Sequence, residues 1–189
     1  MIRPGDVGAT RGSGAVGGLI RFGTAEGPIR DTLAHTFLWV ELLHDHEDGS
    51  QCWITHEAFG SRDPLTGHNG VRARVRDTRT EHVETLDLGL TDEERTAVLA
   101  ASDRIVATTT GYDWFEIARL ACYCITRRLH VPLTRLGEFL FRFSKEDKRI
   151  CSNHCAFSLL AARPALSLSF PPERIWPDRL VRDLRPLTH

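Results

Sequence analysis

Short apolar runs separated by polar turns occupy the first half of the chain. Their length and their β-branched and aromatic residues predict β-strands, and strict alternation over residues 71–76 predicts a strand with one exposed face. The polar residues 45–50 are typical of a hairpin connection between two of these strands. The predicted strands cover residues 6–9, 36–41, 51–55, 71–76 and 82–88.

The second half of the chain has apolar residues at helical spacing. Thr91, followed by three acidic residues, is typical of a helix start with a capping hydroxyl and an acidic first turn. The predicted helices cover residues 91–104, 114–127, 133–143 and 152–162, and residues 14–22 predict a short helix or an ordered loop. Strands first and helices second predict an α+β fold, in which a small and mostly antiparallel sheet packs against helices in one domain over residues 1–189.

Composition narrows the classes of function. The 189 residues are 41% hydrophobic and 26% charged, as in ordinary globular proteins, and 24 basic residues against 25 acidic ones leave a net charge of -1. This balance gives no basis for a nucleic-acid partner. No apolar run has the length of a membrane span, and the N-terminus lacks the apolar core of a signal peptide. We therefore expect a cytoplasmic protein, and the oligomeric state stays open.

Thiol chemistry is the strongest functional signal. Five cysteines without a signal peptide predict thiols rather than disulfides. Cys151 directly precedes a predicted helix, where free backbone N–H groups and the helix dipole favour a thiolate. Cys122, Cys124 and Cys155 are interpreted as core residues, and Cys52 is given no role.

A thiolate mechanism also needs a histidine and a group that orients it. His35 opens an apolar strand and is the best candidate for the base. His56 and Glu57 end the strand that begins near residue 51, and alternation sends neighbours to opposite faces. At most one of these two should therefore point into the shared site, and which of them does stays open.

Several short motifs share an order along the chain. The pieces are Pro4-Gly5-Asp6-Val7, Ala34-His35-Thr36-Phe37-Leu38-Trp39-Val40, Glu57-Ala58, Gly111-Tyr112-Asp113, Ile150-Cys151-Ser152 and Pro171-Pro172-Glu173. In this order they resemble the circularly permuted papain-like amidases, the YaeF/YiiX-type branch of the NlpC-like cysteine hydrolases. The resemblance implies a permuted papain-like fold, in which the histidine precedes the cysteine.

The same resemblance implies roles for single residues. Cys151 matches the nucleophile, His35 the general base and Glu57 the acidic residue of the site. Tyr112 matches the tyrosine before the central helix, and Tyr112 and Ser152 are expected beside the substrate or the oxyanion. No cofactor or metal is implied. The expected function is hydrolysis of an amide bond in a peptide or a peptidoglycan fragment, through an acyl-enzyme; a deamidase or protease acting on a host protein uses the same chemistry.

Three other functions stay open. The same Cys–His pair serves lipid acyl hydrolases and acyltransferases, for which Phe139, Phe141 and Phe143 would line an apolar channel, although such a stripe is more often core. Cys151, His154 and Cys155 have part of the spacing of a zinc site that a distant histidine would complete. The third alternative is a non-catalytic binding module on the same fold.

Overall fold

A five-stranded antiparallel sheet forms the first half of the protein. The computed structural model describes residues 1–12, 17–18, 20–22, 31–62, 67, 69–80, 82–142 and 148–188. The strands of this sheet are β1 (Val7–Thr10), β2 (His35–Asp45), β3 (Gln51–Phe59), β4 (Gly70–Asp77) and β5 (Glu84–Leu86). Their order across the sheet is β4-β3-β2-β1-β5, with antiparallel neighbours throughout. Together with the helices that follow, this sheet confirms the predicted α+β class.

Helices dominate the second half, as their spacing predicts. They are α1 (Asp92–Thr108), α2 (Trp114–Leu129), α3 (Thr134–Phe141), α4 (Cys151–Ala162) and α5 (Pro177–Leu184). Two short strands, β6 (Gly111–Tyr112) and β7 (Lys148–Arg149), pair in parallel. This pairing sets Tyr112 beside Arg149, two residues before the first residue of α4.

Several predicted boundaries were wrong. The second and third strands run on to Asp45 and Phe59, so that β3 contains His56 and Glu57. Helix α4 begins at Cys151 itself, with Ile150 as an extended N-cap residue. The sequence also missed β6, β7 and α5. Within the stretch predicted as a short helix or loop, residues 17–18 and 20–22 are helical, and the rest lies outside the described residues.

The predicted start of the first long helix is confirmed by its cap. The Thr91 hydroxyl accepts the Glu94 backbone N–H at 3.2 Å, and the Glu94 carboxylate accepts the Thr91 N–H at 2.9 Å. Each group satisfies an N–H that the first helical turn leaves without an intrahelical acceptor.

Replacing Thr91 with alanine is expected to lower the free energy of unfolding by about 1 kcal/mol, because one capping hydrogen bond is lost. Urea denaturation would measure the change. Thr96→Ala is the matched control, since the Thr96 hydroxyl donates to the Asp92 carbonyl within the same helix and caps nothing. Equal losses in the two variants would contradict a specific capping effect.

Two buried clusters connect the sheet to the helices. The first joins one end of the sheet to α1, α4 and α5; its members include Val7, Leu38, Val98, Leu159 and Leu180. The second surrounds the start of α4 and includes Ala34, Ala58, Tyr112, Ile150 and Cys151. Packing of these residues brings the beginning of β2 to the beginning of α4, although more than a hundred residues separate them.

None of the described helices has both the length and the hydropathy that a bilayer crossing requires.

Candidate active site

Three predicted residues meet where β2, β3 and α4 approach one another. His35 is the first residue of β2, Glu57 lies near the end of β3, and Cys151 is the first residue of α4. Nε2 of His35 lies 2.8 Å from Oε2 of Glu57. The side chains of His35 and Cys151 lie close enough for each to shift the pKa of the other. Because Glu57 engages Nε2, Nδ1 is the ring nitrogen left to share a proton with the thiol.

The charges of this site support one another. Burial opposes protonation of His35, but the Cys151 thiolate and the Glu57 carboxylate outweigh it and raise the pKa of His35 to about 9. Burial likewise opposes ionisation of Cys151, but the charge and hydrogen bond of His35 bring the pKa of the thiol below its usual value. The two groups therefore favour an imidazolium–thiolate pair near neutral pH.

Glu57 is held by a set of donors that sequence reasoning missed. It is fully buried, and Arg76 grips it with Nε to Oε1 at 2.5 Å and Nη2 to Oε2 at 2.8 Å. The Thr55 hydroxyl donates to Oε1 at 2.6 Å. Burial alone would raise the pKa of Glu57, but the hydrogen bonds from His35 and Arg76 hold it well below its usual range. Glu57 is therefore an anion that orients His35 without titrating near neutral pH.

The sequence contains a signal for Arg76 that the strand prediction did not use. Alternation over residues 71–76 predicts a basic, exposed face, yet Arg76 is buried and Val75 on the other face is exposed. In the observed register Arg74 pairs with Thr55 and Arg72 with Glu57, so the three arginines share a face with the buried carboxylate. The sequence signal for this contact is an acidic residue on one strand together with arginines at every second position of the next strand.

Backbone N–H groups on β2 and α4 also favour the thiolate. Those of Thr36 and Ser152 help to lower the pKa of the Cys151 thiol. The Ser152 hydroxyl is committed elsewhere, since it donates to the Ile175 carbonyl at 2.6 Å. Ser152 is therefore placed to contribute through its backbone, while its side chain fastens the helix to the C-terminal segment.

Tyr112, the last residue of β6, lies in the same buried cluster as Cys151. Burial, followed by the negative charges of Cys151 and Asp113, raises the pKa of Tyr112 well above its usual value. Its phenol therefore keeps its proton through the neutral range. Because the hydroxyl stays a donor, it is suited to an oxygen that becomes negative next to Cys151.

His56 points away from this site. Its Nδ1 lies 2.8 Å from the Ser102 hydroxyl, which lies 2.8 Å from Nε2 of His154. All three side chains are buried between the sheet, α1 and α4. The question that alternation left open is thus decided by the register: Glu57 faces His35, and His56 faces the helices.

An open cleft of about 540 Å³ leads to the site. Cys151 itself is only 2% exposed, whereas His35 and Tyr112 line the cleft. The other lining residues include Ile20, Ala34, Ala58, Phe59, Arg74 and Arg11. The way from the cleft to the thiol therefore passes His35 and Tyr112.

The remaining sequence candidates lie apart from the cleft. Cys52, Cys122 and Cys155 are free thiols, as Cys151 is, and burial raises the pKa of Cys155. Phe139 is 51% exposed on α3 and does not line the cleft, while Phe143 and the side chains of Cys124 and Phe141 lie outside the described residues.

The described residues offer little to a metal ion. Nowhere among them do three or more His, Cys, Asp or Glu side chains gather as ligands. Nε2 of His154 is already taken by Ser102, and Cys151 is engaged with His35. The spacing of Cys151, His154 and Cys155 therefore places on one helix the thiol beside His35, a buried histidine that is bonded to Ser102, and a core thiol.

Comparison with other proteins adds nothing to this geometry. No protein-family model matches the chain, and neither curated proteins nor solved structures gave a match. The chemistry of the site therefore has to be inferred from its own residues.

Proposed function

We propose that this protein is a cysteine hydrolase that cleaves amide bonds of the peptide or peptidoglycan type through an acyl-enzyme. One observation supports this above all others. A thiol at the first residue of a helix lies close enough to a histidine for the two to shift each other's pKa, and a buried carboxylate orients that histidine at 2.8 Å. Nucleophile, base and orienting group are the three parts that thiol catalysis requires.

The proposed reaction starts from the imidazolium–thiolate pair. The Cys151 sulfur attacks the carbonyl carbon, and the carbonyl oxygen becomes an anion that the Tyr112 hydroxyl and backbone N–H groups at the start of α4 stabilise. The carbon–nitrogen bond then breaks, and His35 gives its proton to the departing amine. Water attacks the thioester, its proton passes to His35, and the acid leaves as the thiolate re-forms.

We further propose that the fold is the circularly permuted papain-like one. In the resembled family the histidine comes early at the start of a strand, and the cysteine comes late at the start of a helix. His35 opens β2 and Cys151 opens α4, in that order, with β3, β4 and β5 of the antiparallel sheet between them in the chain. The resemblance and the arrangement of the site support each other.

Product analysis by mass spectrometry tests the proposed function. Wild type, Cys151→Ala and Cys52→Ala are incubated separately with peptidoglycan peptides, acyl-lipids and a protein extract. We expect amide cleavage by wild type and Cys52→Ala, a transient acyl adduct on the Cys151 peptide, and no product from Cys151→Ala. Cys52 is the matched control because it is a free thiol on β3, outside the cleft.

Two results would overturn the proposal. Products that also form with Cys151→Ala would remove the thiol from the mechanism. Cleavage confined to the acyl-lipids would keep the thiol but replace the amide with an ester, which is the lipid hydrolase alternative.

A further inference from the structure

The turn between α2 and α3 carries apolar side chains that the fold leaves in solvent. Leu129 ends α2, Leu136 and Phe139 lie on α3, and Val131 lies between the two helices. The exposed fractions of these side chains are 58%, 48%, 51% and 41% in that order. A single exposed apolar side chain is ordinary, but several within residues 129–139 are typical of a binding surface.

Helix α3 contacts α2 with a different side from the one that carries these residues. The contact involves Gly137, where an added Cβ would lie 3.0 Å from Cβ of Cys122. Leu136 and Phe139 are three residues apart and share another side of α3. Arg135 precedes Phe139 by four residues and therefore borders that same side. Apolar and basic side chains of α3 are thus neighbours on its exposed surface.

This segment is basic, although the charge of the whole chain is close to zero. Residues 127–142 contain four arginines and one acidic residue, Glu138, in a chain whose net charge is -1. The Glu138 carboxylate lies 3.9 Å from Nη1 of Arg119 and 3.6 Å from Nη2 of Arg174, which are on other elements. Arg135 and Arg142 are exposed, and neither forms an ion pair with a described residue. The apolar side chains are therefore bordered by positive charge.

We propose that this surface binds a lipid bilayer whose headgroups carry negative charge. Its described members, the docking surface, are Leu129, Val131, Arg135, Leu136, Phe139 and Arg142. The apolar side chains enter the boundary between headgroups and acyl chains, and the arginines bind headgroup phosphates. The proposal goes beyond the hydrolase function and does not depend on it.

The charge of the docking surface favours a bilayer over a second copy of this chain. A symmetric pairing of this face would bring Arg135 and Arg142 close to the same residues of the other copy, and like charges repel. An anionic bilayer instead offers phosphates to the arginines and an apolar layer to the leucines. Both kinds of side chain therefore find a partner in one surface.

Cosedimentation with lipid vesicles tests the proposal. The protein is mixed with vesicles of phosphatidylcholine alone, or of equal parts phosphatidylcholine and phosphatidylglycerol, and the bound fraction is measured against lipid concentration. We expect wild type to bind the anionic vesicles about twentyfold more tightly than the neutral ones, since each of two arginines contributes roughly fivefold. Added salt should weaken binding to the anionic vesicles and leave binding to the neutral ones nearly unchanged.

Two double variants separate the contributions of charge and apolar area. Arg135→Gln with Arg142→Gln should remove most of the preference for anionic vesicles. Leu129→Ser with Leu136→Ser should weaken binding to both kinds of vesicle by about tenfold, because less apolar area enters the bilayer.

Each double variant has a matched control elsewhere on the surface. Arg62→Gln with Arg104→Gln removes the same charge from two exposed positions outside the docking surface. Leu43→Ser with Val75→Ser removes apolar side chains that are 48% and 57% exposed on the sheet. Both controls should bind as wild type does, and circular dichroism shows that each variant is folded.

Three results would overturn the proposal. Wild type that stays in the supernatant with both kinds of vesicle does not use a bilayer as its partner. Equal weakening in the control variants would assign binding to net charge or to general stickiness and not to the α2–α3 turn. Self-association without vesicle binding, abolished by Leu129→Ser with Leu136→Ser, would make a second copy of the chain the occupant of the docking surface.

Discussion

Replacing His35 with alanine is expected to reduce alkylation of Cys151 by iodoacetamide about tenfold at neutral pH, and amide hydrolysis by about a thousandfold or more. Alkylation needs only the thiolate. Loss of the imidazolium lowers the thiolate fraction strongly, but the thiolate that remains is more basic and therefore more nucleophilic, which offsets part of the loss. Hydrolysis also loses the proton donor for the leaving amine, which contributes a further factor of about 10² to 10⁴.

The pH dependence of the two readouts should separate in wild type as well. The pKa of His35 is raised to about 9, and that of Cys151 is lowered by His35. As pH rises through about 9, His35 loses the proton that the leaving amine needs, so hydrolysis should fall while alkylation persists. In His35→Ala, alkylation should fall about tenfold for each pH unit below the raised pKa of the buried thiol.

Rates of modification by peptide mapping, together with product formation, check both effects. His44→Ala is the matched control, since His44 is an exposed histidine on the same strand. Circular dichroism shows whether each variant is folded. Folded His35→Ala that alkylates at Cys151 as fast as wild type at about pH 6 would show that no imidazolium–thiolate pair exists.

Local signals in the sequence indicated His35 and Cys151 as a candidate pair, whereas the choice of Glu57 over His56 followed only from the family resemblance. His35 and Cys151 stand out locally, because one opens an apolar strand and the other precedes a helix. The choice between His56 and Glu57 depends on which face of β3 meets His35, and that is set by the pairing of β3 with its neighbours. Alternation with a period of two shows that His56 and Glu57 point to opposite faces of β3, but it cannot show which of them faces His35.

The burial of Arg76 could not be predicted for a related reason. An arginine in a strand of alternating apolar and basic residues is normally solvated. Only its buried ion-pair partner, Glu57, shows that Arg76 is buried. Arg76 is 3% exposed because Glu57 neutralises it and because its guanidinium lies 4.1 Å from the centre of the Phe37 ring. Non-local charge pairing therefore overrode the local pattern.

No helix was predicted for residues 177–184, where the structure has α5. Pro177 occupies the first turn of α5, where a proline is well tolerated since its missing N–H needs no intrahelical acceptor. Leu180 and Leu184, four residues apart, fill the first core cluster. Asp178 of this helix accepts the Leu33 backbone N–H at 3.2 Å, two residues before His35. The unpredicted helix thus holds the segment that leads into His35.

Replacing His154 with glutamine is expected to protect the fold against acid. His154 is fully buried, and burial, together with neighbouring His56, lowers its pKa to about 3. Its Nε2 meets the Ser102 hydroxyl at 2.8 Å, and a glutamine amide places a polar atom near that position but cannot titrate. The variant therefore keeps the packing and the hydrogen bond in large part and removes the proton uptake.

The direction in which the free energy of unfolding changes with pH follows from proton linkage. Above about pH 6.5 the residue is neutral in both the folded and the unfolded chain. As pH falls below that value, the unfolded chain takes up a proton that the folded chain refuses until about pH 3, so the free energy of unfolding decreases. Glu57 acts in the same direction, because its pKa is lowered on folding, but only below its usual value near 4.5. The interval between about pH 6.5 and 4.5 therefore isolates the histidines.

Urea denaturation across that interval measures the effect. Each pH unit is worth up to about 1.4 kcal/mol for one proton, so wild type should lose up to about 2.7 kcal/mol more than His154→Gln between pH 6.5 and 4.5. Contributions from His56 and from the His35–Cys151 pair are common to both proteins and cancel in the difference. His44→Gln removes an exposed histidine and should parallel wild type. A difference between His154→Gln and wild type that stays constant with pH would mean that His154 accepts a proton in the folded protein, and that Ser102 does not hold it in the neutral form.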